Sequence, residues 1–282
     1  MIFLLPRRRP IIPGHKQNSL KNLSHVKDLL DGLYLKINRP EFIPLDPVQF
    51  PHRYKNKKDI EIAAFLAATI AWGRRDLILK SAEKMFAFMG KSPYDFVMKD
   101  DFRQFAGSDG GCRRSIHRTF FEHDLLYFCR GFRVCYNRYG SLEALFASGA
   151  NIWEGIGLFR ETMAEGSCIE PKSTNQPRYS KHISDPGAGS ACKRLNLALR
   201  WLIRKEGPVD LGIWKKISPA SLFIPLDLHV GRAARELELL NSNRKANDMK
   251  AVISLTEKLR AFCPEDPVKY DLALFGYSNV DA

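Results

Sequence analysis

The chain has 282 residues, enough for one large domain or for two lobes sharing a cleft, and 45% of them are hydrophobic, as in an ordinary folded protein. Lysine and arginine number 44 against 31 aspartates and glutamates, a formal charge of +13 with a pI near 9.5. That balance calls for a polyanionic partner: nucleic acid is the usual one, with an anionic membrane surface or an acidic protein as alternatives.

No apolar run reaches the roughly 18 residues needed to cross a bilayer, so no membrane span is expected. The six cysteines, at 112, 129, 135, 168, 192 and 263, contain no Cys-x-x-Cys pair. Zinc and iron–sulfur spacings are therefore missing, and no cofactor is expected. The opening Met-Ile-Phe-Leu-Leu-Pro-Arg-Arg-Arg places apolar residues before the charges, the reverse of a secretory signal. A cytoplasmic location is expected.

In chain order, residues 1–24 are basic, proline-bearing and aperiodic; they read as a disordered arm or as a stretch preceding the true start. Val26–Leu35 reads as a short helix. Asn38–Tyr54 is too rich in proline to be regular, and its Asp46-Pro47-Val48-Gln49-Phe50-Pro51-His52-Arg53-Tyr54 can line a cleft or merely tie two helices together. Asp59–Trp72 is apolar almost all round and so belongs inside the protein, with Gly73 ending it. Asp76–Met89 closes a helical hairpin. Trp72 is read as a core residue, with a wedge in a duplex as the rival.

Phe105–Gly111 is a glycine-rich break. After it Arg113, Arg114, His117 and Arg118 stand beside Phe120 and Phe121, a pattern that suits a groove holding phosphates and stacking bases, or equally a solvated turn over two core rings. His123–Tyr139 is helical, with Arg130, Arg133 and Arg138 extending the positive charge. Ser141 and Asn151 read as N-caps of two further helices. Gly166–Ser190 is a long polar loop, either a substrate-contacting lid or a linker between lobes.

The chemistry concentrates between Asp185 and Leu240. Asp185-Pro186-Gly187-Ala188-Gly189-Ser190 is a turn, and Ala191–Arg204 is a helix without breakers. A turn feeding a helix N-terminus is an anion site, because free backbone N–H groups and the positive end of the helix dipole point the same way. On this helix Leu195, Ala198, Leu199 and Leu202 form one buried stripe, leaving Lys193, Asn196, Arg200 and Arg204 on the other side as a solvated cationic face. Asp210 reads as the cap of a short helix to Ile217. Downstream, Pro225 stops the chain and Asp227 stands as N-cap of a helix whose Val230, Ala233, Ala234, Leu237 and Leu240 share one apolar face. Two helices on one core can bring Lys193 and Asp227 to one cleft. Val252, Leu255, Leu259 and Phe262 mark another helix, and Asp266-Pro267 opens the last, Val268–Phe275.

Lys193-Arg194-Leu195-Asn196-Leu197-Ala198-Leu199-Arg200, with Ile224-Pro225-Leu226-Asp227-Leu228-His229-Val230-Gly231-Arg232-Ala233 downstream, resembles the active-site region of the helix-hairpin-helix base-excision DNA glycosylases, nearest in motif to the archaeal 8-oxoguanine glycosylases. The buried helical hairpin Asp59–Met89 and the closing segment Asp266–Gly276 are similar to the first helices and the last helix of that fold. From about Val26 onward the chain also resembles a bacterial family of unknown function. No stretch sustains an alternation of period two, so an all-α fold of about ten helices is expected, and the glycosylase resemblance implies two lobes around a cleft, residues 25–282 forming one domain. Further, it implies a monomeric DNA-repair enzyme of the nucleoid, with Lys193 as nucleophile and Asp227 as its electrostatic partner. Gly187, Gly189, Ser190, His229, Arg232, Arg114 and Arg118 would contact the nucleic acid. The departures are that Lys193 lies four residues beyond Gly189, where the family has two, and that Glu206–Leu222 lengthens the spacer.

That chemistry has a physical logic. Cutting a base from its sugar needs a nucleophile at the anomeric carbon and a charge to stabilise the cationic sugar, and an amine with a carboxylate supplies both. Attack requires the neutral amine, so burial or cationic neighbours such as Arg194 are expected around the lysine. The alternative functions are a protein that keeps the fold and binds DNA or RNA without chemistry, and a hydrolase that uses Asp227 and His229 around a metal.

Overall fold

The segment that is apolar on every side becomes the central helix. It is α2 (Lys57–Thr69), and every residue of it from Asp59 on is buried. The computed structural model describes residues 19–102, 114–169 and 176–279, and among them the chain forms eleven α-helices and one short β-hairpin. Residues 1–18, Phe105–Gly111, Arg113 and part of the 166–190 loop lie outside the described residues. Mostly helical architecture is as the absence of period-two patterning implies. The exception is an antiparallel pair, β1 (Ser115–His117) and β2 (Phe120–Phe121), turned at Arg118 with φ +52°. Strands of three and two residues are too short to leave an alternation in the sequence.

Around α2 the other helices are α1 (Ser19–Ile37), α3 (Arg75–Met89), α4 (Pro93–Met98), α5 (Glu122–Tyr139), α6 (Leu142–Phe146), α7 (Ile152–Glu165), α8 (Lys193–Ile203), α9 (Leu228–Glu236), α10 (Met249–Phe262) and α11 (Tyr270–Asn279). The main pairings are α2 with α8, α1 with α11, α9 with α11, and α5 with α7. Both apolar stripes read from the sequence are buried: Leu195, Ala198, Leu199 and Leu202 on α8, and Val230, Ala233, Ala234, Leu237 and Leu240 on and after α9. Ser141 and Asn151 cap α6 and α7 through bonds from Ala144 N–H (3.0 Å) and Glu154 N–H (3.1 Å).

Several elements differ from expectation. Helix α1 begins at Ser19, ahead of Val26. Helix α2 stops at Thr69, so Ala71 and Trp72 lie outside it, in irregular chain. Asn38–Tyr54 contains three successive 3-10 turns, at Pro40–Leu45, Pro47–Gln49 and Pro51–Arg53, each with proline in the first turn, where its missing N–H costs nothing. No helix forms at Asp210–Ile217. That spacer is held instead by carboxylates of other helices: Glu61 accepts from Trp214 Nε1 (2.9 Å), and Glu143 accepts from the Lys216 amide (2.7 Å).

The largest departure is the supposed solvated face of α8. Asn196, Arg200 and Arg204 are buried, Arg204 completely. Arg204 Nε donates to both oxygens of Asp266 at 2.8 and 2.9 Å, its Nη1 pairs with Asp210, and its Nη2 donates to Tyr34 Oη at 3.1 Å. Arg200 Nη2 lies 3.1 Å from Asp210, and Nη1 pairs with Asp271 of α11. Asp266, expected as a helix cap, gives its carboxylate to Arg204 and makes no side-chain cap bond. Two buried guanidiniums and three carboxylates therefore join α8, the spacer, α11 and, through Tyr34, α1.

Removing one member of a buried ion network leaves its partners charged, dry and unpaired, which typically costs about 3–5 kcal/mol. Asp210→Asn is expected to lose stability on that scale in urea denaturation. Arg138→Ala, which breaks the exposed Arg138–Glu165 pair, is expected to lose less than about 1 kcal/mol.

Candidate functional site

Lys193 and Asp227 each stand at the start of a helix, placed there by the breakers that precede them. Lys193 is the first residue of α8, entered through Cys192 in a left-handed conformation (φ +47°). Asp227 is the N-cap of α9, its Oδ1 accepting from His229 N–H and Val230 N–H, both at 2.9 Å. The other carboxylate oxygen, Oδ2, faces Lys193 Nζ at 3.6 Å. The amine also donates to the Ala71 carbonyl at 3.2 Å, just past the end of α2. Both side chains remain reachable, 27% and 33% exposed, on the wall of an open cleft of about 1370 Å³.

Two helix N-termini therefore converge on one cleft, and their dipoles favour negative charge there. Arg74, Arg75, Arg118, Lys181 and Arg194 also line it. The Arg118 guanidinium lies over the Trp72 ring, 4.9 Å from its centroid. Trp72 itself lines the cleft half-buried, so it belongs neither to the deep core nor to an exposed wedge.

Three lining residues were not singled out in the sequence, although the loop that Asp46 opens was read as able to line a cleft. Asp46, at the head of the 3-10 turn Pro47–Gln49, has a carboxyl raised by burial and opposed by the Val48 amide and by Arg75, Arg200 and Lys193. Asp271 of α11 is buried, and its carboxyl is pushed up to about 6 by burial, with Asp227 adding to the rise and Arg200 and Lys193 opposing it. Arg200 ties that carboxyl to the interior network. Cys192 lies beside Lys193, but burial pushes its thiol up to about 11, so it stays protonated and weakly nucleophilic at neutral pH.

The remaining expected contacts divide. Ser190, His229 and Arg118 line the cleft. Arg232, on α9, and Arg114 are both exposed, and neither lines the cleft. The turn amides are already occupied. Gly187 N–H donates to Asp185 Oδ1 (2.8 Å), Gly189 N–H to the Pro186 carbonyl (2.9 Å), and Ser190 N–H to the Asp185 carbonyl (3.2 Å). The expectation that Gly187 and Gly189 offer free amides to a phosphate is therefore corrected: Gly189, at φ +76°, closes the turn and accepts from Met249 N–H, docking it on α10. Of the loop before it, Lys181, His182 and Ser184 line the cleft wall. Two of the three arginines of α5 are taken up in ion pairs elsewhere: Arg133 pairs with Asp100 and Arg138 with Glu165. Among the described residues no three His, Cys, Asp or Glu side chains are grouped to hold a metal ion, and Asp227 with His229 is only a pair.

Residues 46–279 match the model of a family described as a protein of unknown function, DUF2400. The chain belongs to that family. The match takes in Asp46, Lys193, Asp227 and Asp271, so the whole constellation lies within the DUF2400 region. No curated protein and no solved structure matches this DUF2400 chain. In the family region no described helix is long and apolar enough to cross a membrane.

A carboxyl whose folded value lies above its unfolded one stabilises the fold fully below the unfolded value, and loses that contribution as pH rises through the folded one. Wild type is therefore expected to lose stability relative to Asp271→Asn as pH rises from 3.8 through about 6, then to run parallel to it. Urea denaturation of the two proteins at matched pH checks this, and a pH-independent difference would assign Asp271 an ordinary carboxyl.

Proposed function

We propose that the protein is a DNA glycosylase with lyase activity, acting on a damaged base in the cleft through Lys193 and Asp227. The observation that carries this reading is the approach of the Lys193 amine to the Asp227 carboxylate, 3.6 Å apart, on the wall of a cleft large enough for a nucleotide. The glycosylase-like division into two lobes around that cleft forms part of the same proposal.

In this scheme an extruded nucleotide enters the cleft, its phosphates held by Arg118, Arg232 and His229. The lone pair of the neutral Lys193 amine forms a bond to C1′ of the sugar. The bond from C1′ to the base breaks, and the departing base takes the electron pair together with the proton that the newly bonded lysine nitrogen sheds. Asp227 Oδ2 stabilises the positive charge that develops on the sugar, its other oxygen already fixed by two amides of α9. Ring opening leaves an imine between lysine and sugar. Loss of a C2′ proton then breaks the C3′–O bond, with the electrons leaving on the 3′ phosphate, and water returns the free amine. Asp271, with its carboxyl near 6, is a group able to give or receive a proton at neutral pH.

A second reading keeps the cleft and drops the chemistry. Lys193 donates to the Ala71 carbonyl as well as facing Asp227, an arrangement that also holds a charged lysine still. Under it the protein binds distorted DNA or structured RNA by charge and shape, and salt-sensitive binding survives both Lys193→Gln and Asp227→Asn.

Borohydride trapping separates the two. With oligonucleotides carrying an abasic site or an oxidised, alkylated or deaminated base, wild type is expected to form a covalent adduct and Lys193→Gln none. Asp227→Asn is expected to slow adduct formation by about a hundredfold or more, the usual scale for losing a positioned transition-state charge. Failure of wild type to form an adduct with every one of these substrates, while binding them, would leave the second reading.

A further inference from the structure

The end of α2 turns its carbonyls toward side chains from elsewhere in the chain. Thr69 O accepts from Arg194 Nη1 at 3.0 Å, and Ala71 O accepts from Lys193 Nζ at 3.2 Å. Carbonyls at the C-terminal end of a helix attract cations, so this segment lines up positive charge along the cleft wall. Arg118 extends the row, its guanidinium lying over the Trp72 ring. Two residues with positive φ place that arginine. Arg118 is itself left-handed at the hairpin turn, and Gly73 (φ +99°) has no Cβ where one would meet the guanidinium.

Most cations of the cleft are answered within the protein. Arg74 pairs with Asp76, Lys193 faces Asp227, Arg200 pairs with Asp271, and Arg75 acts on the Asp46 carboxyl. Arg118, Lys181 and Arg194 also line the cleft, yet among the described residues none of the three has a carboxylate partner. Arg194 is the costliest of them. Burial alone pulls its half-buried guanidinium below the ordinary value, and no anion offsets the pull. Only its Nη1 is engaged, by Thr69 O and by His182 Nδ1 at 3.5 Å. His182 Nε2 lies 3.1 Å from the Thr119 carbonyl and 3.4 Å from Asp124 Oδ2. Both are acceptors, so the ring hydrogen belongs on Nε2 and Nδ1 turns its lone pair to Arg194. Asp124 Oδ2 is itself taken up by the Phe121 N–H at 2.8 Å. The Nε and Nη2 edge of Arg194, which can grip two oxygens at once, bonds to none of the described residues.

Three unanswered cations on one wall call for more charge than a carboxylate carries. A phosphate monoester brings about −1.5 to −2 at neutral pH together with three acceptor oxygens. We propose that Arg194, Arg118 and Lys181 form a subsite for a phosphate monoester, the 5′-phosphate end of a nucleic-acid strand. The nucleic acid rests on the proposed function, and the subsite identifies what holds the group that the elimination sets free. As the C2′ proton passes to water, its bonding pair becomes the C2′–C3′ double bond. The C3′–O bond breaks and its pair goes to the phosphate, so a diester with one negative charge becomes a monoester with two. Cations that lack a partner in the free protein therefore hold the leaving end more tightly than the intact strand.

Fluorescence anisotropy with the full chain tests this on a short DNA strand, labelled at its 3′ end and carrying either a 5′-phosphate or a 5′-hydroxyl. At matched ionic strength wild type is expected to bind the phosphorylated strand about tenfold more tightly. Lys181→Gln and Arg194→Gln are each expected to bring the two strands within about threefold of each other. Inorganic phosphate is expected to displace the phosphorylated strand, and acetate at the same ionic strength to leave it bound. Lys181 is exposed, so its variant keeps the fold even if loss of the Arg194 bond to Thr69 lowers the melting temperature. Equal affinity of wild type for the two strands overturns the subsite. So does a preference that survives both substitutions, which would leave Arg194 as a cap on α2 and nothing more, or displacement by acetate as effective as by phosphate. Borohydride trapping with wild type reports the glycosylase reading separately: a 5′-phosphate preference without any adduct would sink the chemistry and keep the subsite, and an adduct without the preference would do the reverse.

Discussion

The position of α8 depends on a set of buried charges. Arg200 and Arg204 project from one side of that helix into a group of three aspartates contributed by the spacer, by the turn before α11 and by α11 itself. Such a network adds little net stability compared with well-packed apolar side chains, since each charge is costly to desolvate. What it does fix is register. A slide or rotation of α8 would separate at least one guanidinium from its carboxylate in a dry interior, and that penalty confines the helix to one setting. Lys193 sits on the first turn of the same helix and therefore inherits the setting.

The network reaches the cleft through Asp271. That carboxylate pairs with Arg200 on its inner side and lines the cleft on its outer side, where Asp227 and Lys193 influence its protonation. Helix α9, which carries Asp227, packs on α11. The lysine, the capping aspartate and the buried aspartate are thus three points of one rigid frame, and the 3.6 Å approach of Lys193 to Asp227 follows from how α8, α9 and α11 are joined. Rigid placement of this kind is what a reacting group needs, because small displacements cost large factors in rate.

Much of the frame can be read from the chain alone. The stripes Leu195–Leu202 and Val230–Leu240 are periodic, and periodicity is a local property, so both buried faces were legible. Pro225 and the glycines before Ser190 mark where the helices start, which is why Lys193 and Asp227 were placed at two helix mouths. The charged side of α8 was misread for a reason equally physical. A row of Lys, Asn, Arg and Arg looks the same whether water or carboxylates face it, and the partners of Arg200 and Arg204 lie at Asp210, Asp266 and Asp271, two of them more than sixty residues further on. The third wall of the cleft was legible only in part: the loop from Asp46 was read as able to line a cleft, but its meeting with Asp271 joins opposite ends of the family region. The turn at Gly187 and Gly189 carried a recognisable motif, yet its amides close the turn itself, a fact that depends on Asp185 bending back onto Gly187.

Under the proposed function, the cleft between α8 and α9 receives a nucleotide with its sugar against position 193. A crystal structure of Lys193→Gln bound to a duplex with a tetrahydrofuran abasic analogue tests it most directly. The account requires the analogue to be swung out of the duplex into the cleft, with C1′ about 3–4 Å from the side chain at 193 and the Asp227 carboxylate beside the ring. Duplex bound across another face, with the analogue still stacked and the cleft empty, would contradict it.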